Sequence, residues 1–457
     1  MPFLNRLATG NHERLAEAFD YQYRHDAIGH KLHVGAGLFL CFFAGWPITW
    51  LEVLAGPVYF YGLIRVLNTW RVWAVFWTRA LILLIVLWAA WQALTLAWSP
   101  NPSEGLNDLG KLRFLAAAWL LWPVMDRRPW LIAALAAGFL CGNAAQLADA
   151  LAANLGVTWF DWRRPADRHS GWWDPAVAGS LLVGALGLHL PAAFMGGGRT
   201  RVMAIAAACV TAAGLLATGT RSGWVAAAAL TAITAGVAGV RAVRGGAHRG
   251  LTRRAWIVAP CALGAIVGAA ALVWPFVGAG VSRRIDEARG EVSRAWSGGD
   301  YSTFTGQRIL MAKLAIAATA ENPVRGVGAG GYRVWTTQRR RAAPVGESPQ
   351  ALARPFPHAH NSLLHAAATS GIAGAILSAL VMLVALRGAL AREQLAPAGL
   401  GSYAAGPGFA LLGLALVSAF DTLYVNAQTA ALLGILFSMS LLPPPRLPGT
   451  APASPPR

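Results

Sequence analysis

Apolar runs long enough to cross a bilayer recur along almost the whole of this chain, and they constrain its fold more than any motif does. In hydrocarbon every backbone amide and carbonyl must be paired within the protein, which leaves only helices or a closed barrel. The runs here reach about 18 residues or more, the length of a spanning helix. The short alternating segments of a barrel do not occur. Composition agrees, with 56% of the 457 residues hydrophobic and only 13% charged, and a mean hydropathy of +0.47. The chain therefore reads as an all-α integral membrane protein of about twelve transmembrane helices, at 33–50, 51–67, 78–98, 110–126, 130–152, 174–196, 201–218, 222–240, 255–278, 361–386, 402–420 and 424–442. The second is the weakest, because Gly56-Pro57 and Arg65 interrupt it.

One long polar segment breaks the series. The resulting order is an N-terminal arm (1–32), spans one to nine (33–278), a large loop (279–360), spans ten to twelve (361–442) and a proline-rich tail (443–457) expected to be disordered. Lys and Arg in short loops mark the cytoplasmic side. Arg127-Arg128, Arg199, Arg201, the cluster from Arg241 to Arg254, and Arg387 and Arg392 all fall on one side, with both termini. The termini thus read as cytoplasmic and the large loop as external. The first 30 residues are polar, so no cleavable signal peptide is expected. All four cysteines (Cys41, Cys141, Cys209, Cys261) lie in apolar runs and read as small buried hydrophobes.

The formal charge of +18 is in large part this topological signal. The loop is different, because residues 279–360 carry 12 Lys or Arg against six Asp or Glu on the side where no positive bias is needed. An anionic partner at the outer face accounts for it, and the location argues against nucleic acid.

Three groups of residues there can carry chemistry. Arg221, in Thr218-Gly-Thr-Arg-Ser-Gly223, sits in a tight external turn. It is either a snorkelling anchor or a guanidinium held to grip a phosphate. Arg163, Arg164 and Arg168 also break the positive-inside pattern. The segment Phe304–Ala320 has helical periodicity, with Gln307, Arg308 and Lys313 polar, and reads as an amphipathic helix on the membrane surface. Asn322-Pro323 ends it, and a glycine-rich turn from Gly326 to Gly331 leads into Tyr332. Such a turn can present amides to an anion, although it lacks the Gly-Lys-Ser/Thr of a P-loop. Third, His358-Ala-His360-Asn361 and His365 stand where the loop meets the tenth span. They suit proton transfer at neutral pH or a plain surface cluster; a metal is the weaker reading, since no His-Glu-x-x-His pattern is present. Two lesser candidates are the Trp-rich stretch from Trp159 to Trp173, an interfacial belt or a sugar-stacking surface, and Asp421, a turn residue able to orient a base.

Taken together, Thr-x-x-Arg-Ser-Gly at Arg221, Gly-Gln-Arg308, Asn-Pro-Val-Arg-Gly-Val-Gly after it, and His360-Asn-x-x-Leu364 closing the loop resemble the O-antigen ligase and O-antigen polymerase superfamily of bacterial inner membranes. Bacterial protein O-oligosaccharyltransferases share the module. The sharp motifs span 218–223 and 303–371. The resemblance implies a multi-pass inner-membrane glycosyltransferase whose site faces the periplasm, with the large loop between spans nine and ten carrying amphipathic helices. The donor would be an undecaprenyl-diphosphate-linked glycan within the membrane lipids, and the acceptor a hydroxyl of lipid A–core. Neither nucleotide nor metal cofactor is implied, because the lipid diphosphate is itself the leaving group. Arg221 and Arg308 would clamp the diphosphate, and His360 would act as general base with Asn361 orienting it. His358, Gln307, Tyr332, Arg163 and Arg164 would line the donor or acceptor site, and the Arg339–Arg341 triplet is a further candidate for a phosphorylated acceptor. Ligase is the first expectation and polymerase the second. A transporter is the reading from another class, but it calls for ionisable groups near the membrane midplane, whereas these gather at one face.

Overall fold

The computed structural model describes residues 2–157, 168–244, 264, 268, 278–280, 282–344, 346–391 and 403–441. Among them every regular element is helical and no strand occurs. In chain order these are α1 (Pro2–His25), α2 (Ala27–Phe43), α3 (Ile48–Ile64), α4 (Val66–Phe76), α5 (Ala80–Leu94), α6 (Pro102–Leu112), α7 (Ala117–Leu121), α8 (Arg128–Asn154), α9 (Pro175–Met195), α10 (Gly198–Ala217) and α11 (Arg221–Arg244). They continue with α12 (282–297), α13 (Phe304–Glu321), α14 (Gly331–Ala342), α15 (Pro349–Ala353), α16 (Ser362–Ala391), α17 (Gly406–Val417) and α18 (Ala427–Ser440).

The helices bear out an all-α membrane protein, and the expected count of twelve only in part. Among the described residues six helical stretches are long and apolar enough to span: Ala80–Trp98, Pro102–Ala153, Pro175–Met195, Gly198–Ala217, Arg221–Arg241 and Ser362–Leu390. The pair α3 and α4, bent by 97°, makes a seventh if it is one broken span. The run expected at 110–126 is divided among short helices and 3-10 turns, whereas that expected at 130–152 is the single helix α8; the apolar helices at Ala27–Phe43, Tyr403–Val417 and Ala427–Ser440 are short. The expected span 255–278 lies largely outside the described residues. A hydropathy window counts apolar length, and it cannot tell one straight helix from several short ones. The α3–α4 bend has a chemical cause: Arg65 is buried there, donating from Nε to Asp26 Oδ2 at 2.6 Å, with Nη1 2.8 Å from His33 Nδ1. A charge inside an apolar run is tolerated only when paired in this way.

Helix α9 is the centre of the bundle, with every residue from Val177 to Phe194 buried. Small residues let its neighbours approach, as is general where lipid offers no hydrophobic drive for association. Gly187 takes the backbone of Phe409 and Ala410 on α17, and Gly179 takes Thr220 at the head of α11. Cys41 is buried, as expected, but Cys141 is exposed on the flank of the bundle.

The large loop folds into a helical layer with its own small core, built from Tyr301, Leu310, Met311, Ala315, Tyr332 and Phe356 among others. The segment expected as an amphipathic helix is α13; it is helical, but apolar and polar residues are not segregated to opposite faces, and Phe304 and Ile316 are exposed. It is capped by Thr303 Oγ1 accepting from Gly306 N at 3.1 Å. This layer is stitched to α16 through the glycine-rich turn: Val327 N donates to Ala368 O at 2.8 Å and Gly328 N to Thr369 O at 2.9 Å. Those amides are therefore spent on structure, and the turn does not present them to an anion. Helix α16 breaks at Gly371 (φ 69°, ψ −176°), where Val324 O occupies the space a Cβ would need. Its first nine residues join the two parts, with Leu364 and Ala368 in the core of the loop layer and Ala366 in that of the bundle, where Ser370 accepts from Trp91 and Gln92 of α5.

Candidate active site

The chain ends that meet at one pole of the bundle are the start of α9, the turn between α10 and α11, the start of α16 and the turn between α17 and α18. Thr220 Oγ1 donates to Pro175 O at 2.7 Å, and Ser362 N donates to Ser418 O at 2.8 Å. Between these ends and the loop layer lies a cavity of about 650 Å³. Arg168, Arg221, Arg284, Arg308 and His360 all line it, with Phe304 and Phe420 among its apolar walls.

Arg221 opens α11 directly after Gly219, whose φ of +64° makes the reversal that ends α10. Its guanidinium is held on two sides. Nη2 is 2.8 Å from Glu287 Oε2 and Nη1 is 2.8 Å from Glu291 Oε2, both carboxylates coming from α12. Nη1 also donates to Thr305 Oγ1 at 3.2 Å, and the Thr305 amide donates to Glu291 at 3.1 Å. Burial would raise the Glu291 pKa, but the hydrogen bonds from Thr305 and Arg221 outweigh it and hold the carboxyl below its ordinary value. Neither glutamate was a sequence candidate, because nothing in the spacing of residues 287 and 291 relates them to residue 221.

Arg308, on the second turn of α13, has no hydrogen-bond or ion-pair partner among the described residues. Burial shifts its pKa downward, but a guanidinium keeps its proton in a protein. Arg168 reaches the same wall, donating from Nε to Thr218 O at 3.0 Å and from Nη2 to Thr220 Oγ1 at 3.2 Å. Arg284 approaches Glu287 at 3.6 Å. Four guanidiniums thus line the cavity, and Glu287 and Glu291, which pair with Arg221, are not among its lining residues.

His360 has a positive φ of 48°, unusual for a residue with a side chain. Its Nδ1 lies 3.3 Å from Asp421 Oδ1 in the α17–α18 turn, close enough for an ion pair but off the line of a hydrogen bond. Asp421 also accepts from Thr422 N at 2.8 Å. Burial would raise the pKa of Asp421; the neighbouring His360 outweighs it, and the carboxyl is held below its ordinary value. With Nδ1 turned to Asp421, Nε2 is the nitrogen left to the cavity. His358 packs against it at 4.2 Å between ring centroids. Burial, with His360 close by, pushes the His358 pKa down to about 3, so His358 stays neutral and is a poor proton acceptor.

The other expected residues fall elsewhere. Asn361 does not orient His360: it caps α16, with Oδ1 accepting from Leu364 N at 2.9 Å and Nδ2 donating to Ala419 O at 3.0 Å. It still lines the cavity. Asp421, from a distant turn, is the residue that stands beside His360 Nδ1 instead. Tyr332 is a core residue, 1% exposed, donating to Met311 O at 2.7 Å. Gln307 is buried on α13 and does not line the cavity. Arg163 and Arg164 lie outside the described residues. Of the arginine triplet, Arg340 is buried, pairs with Glu347 and stacks 3.7 Å over Phe356, and Arg339 pairs with Glu321 at 3.4 Å. Much of the loop's charge is therefore structural rather than available to a ligand.

The donor atoms of His358, His360 and Asp421 all lie within 4.8 Å of one another, a grouping that could hold a metal ion. Imidazole and carboxylate suit zinc or a similar divalent cation. The same three side chains serve equally as a metal-free base with its orienting acid.

No curated protein matches the chain. Residues 205–379 match the family described as O-antigen ligase, less than half of the chain but the part that carries Arg221, Arg308 and His360, and members of that family are ligases and polymerases of the glycosyltransferase kind acting on lipid-linked glycans. This match supports the O-antigen ligase and polymerase superfamily for residues 205–379, and the apolar helices around it are consistent with a multi-pass membrane protein.

Proposed function

We propose that this protein is an O-antigen ligase, transferring a glycan from undecaprenyl diphosphate to a sugar hydroxyl of lipid A–core at the periplasmic face of the inner membrane. The observation that carries the reading is the convergence of Arg221, Arg308 and His360, remote in sequence, on one cavity at the junction of bundle and loop. Arg308 and Arg221, with Arg168 and Arg284 beside them, are placed to hold a diphosphate and to stabilise the charge that grows on it as the glycosidic bond breaks. The acceptor oxygen attacks the anomeric carbon from the face opposite the diphosphate, so the configuration inverts. A C–O bond to the acceptor forms and the C–O bond to the diphosphate breaks. His360 Nε2 takes the hydroxyl proton, and Asp421 orients the ring and balances the imidazolium.

The test is a lipopolysaccharide gel from a strain lacking the gene, complemented with wild type or His360→Ala, with undecaprenyl-linked glycan measured in parallel. The expected result is loss of the ladder, with long polymer stranded on the carrier, restored by wild type only. Core bearing a single repeat unit would reassign the protein as a polymerase. An unchanged ladder would overturn both and leave protein glycosylation or transport.

A further inference from the structure

A second notch lies on the loop layer, away from the four guanidiniums. Its volume is about 200 Å³, and its walls are two indoles, Trp98 at the end of α5 and Trp335 on α14, with Asn322, Arg325 and Gln338 at the rim. Both indoles are half-buried, while Arg325 and Gln338 are exposed. Trp98 is fixed by its Nε1 donating to Arg325 O at 3.0 Å, and the turn beneath is fixed by Gly326 N donating to Asn322 O at 2.9 Å. Among the described residues, the Arg325 guanidinium, the Gln338 amide and the Trp335 N–H have no hydrogen-bond or ion-pair partner. The notch is thus rigid in its backbone and unspent in its polar groups.

We propose that this notch is a saccharide-binding subsite, holding a pyranose ring of a glycan chain at a distance from the reacting bond. A pyranose offers an apolar C–H face, which stacks on an indole, and a rim of hydroxyls, which suits flat amide and guanidinium groups. An acyl chain would leave the two amides and the guanidinium of the rim unused, and a bare phosphate would leave the two indole walls unused. The notch connects to the candidate active site through α16. The turn that floors it is bonded to Ala368 and Thr369, and His360 stands at the other end of that helical segment. From Ser362 to Thr369 the helix rises roughly 10 Å at about 1.5 Å per residue, with His360 two residues before its start, a separation within the reach of a short oligosaccharide. The inference rests on the glycan-transfer reading above, and the sugar is supplied either by the donor polymer or by the acceptor core.

The experiment uses the full-length protein in nanodiscs, with saturation-transfer NMR and calorimetric titration against two probes from the source strain: delipidated O-polysaccharide and acid-released core oligosaccharide. The variants are Trp335→Ala and the surface pair Arg325→Ala with Gln338→Ala, which keeps the test valid if the first misfolds. Binding of one probe by wild type, weakened about tenfold in the variants (about 1.4 kcal/mol), supports the subsite and names its source. With the bound glycan as substrate, KM should rise while kcat holds. Absence of binding to both probes, or equal binding by wild type and both variants, overturns the proposal. His360→Ala separates the two readings, because it should abolish transfer and leave this binding intact.

Discussion

Replacing Asp421 by Asn is the sharpest test of how the site works, because it preserves shape and removes one charge. The carboxylate stands 3.3 Å from His360 Nδ1. At that distance two unit charges attract by about 5 kcal/mol at an effective dielectric of roughly 20. The contact is not aligned as a hydrogen bond, and the side chains retain 21% and 15% exposure. About half of that attraction, ~2–3 kcal/mol, is therefore what the imidazolium formed in the transition state can lose, worth about 30- to 150-fold in kcat. Steady-state transfer from an undecaprenyl-linked donor to lipid A–core by purified protein measures it, and KM for the donor should move little. A kcat within about threefold of wild type, in a folded variant, would refute the orienting role. The same substitution has a stability signature. The folded pKa of Asp421 lies below its unfolded value, so the stability it contributes is complete above the ordinary carboxylate range, near ~4, and is lost as pH falls through the folded value. Wild type should therefore lose more melting temperature than Asp421→Asn on acidification through that window.

Other outcomes follow from the same geometry. Arg221→Lys keeps the charge but cannot meet Glu287, Glu291 and a phosphate with one planar fork, and transfer should fall by about ten- to a hundredfold; wild-type turnover would remove Arg221 from the clamp. Gly371→Ala forces a side chain into a positive φ and into Val324 O, and should cost about 2–4 kcal/mol of stability, read as melting temperature in nanodiscs; an unchanged value would mean that the α16 break is not required. Transfer in a chelating buffer should match transfer without it, and activity lost to the chelator and restored by a divalent cation would reassign His358, His360 and Asp421 as a metal site.

The sequence by itself determined the class of fold, because hydropathy over windows of spanning length leaves few structures that satisfy a backbone in lipid. It also located the helix α13, and its short motifs, through the order and spacing in which they resemble a known family, singled out Arg221, Arg308 and His360. The tertiary structure decided the rest. Whether an apolar run is one helix or several depends on breaks such as the one at Arg65, whose partner Asp26 comes from another helix. Glu287 and Glu291 meet Arg221 from 66 and 70 residues away in the chain, Asp421 rather than Asn361 stands beside His360, and Tyr332 and Arg340 are buried. No periodicity records such contacts; they arise only when α9 brings its neighbours' ends to one pole and the loop layer closes over them.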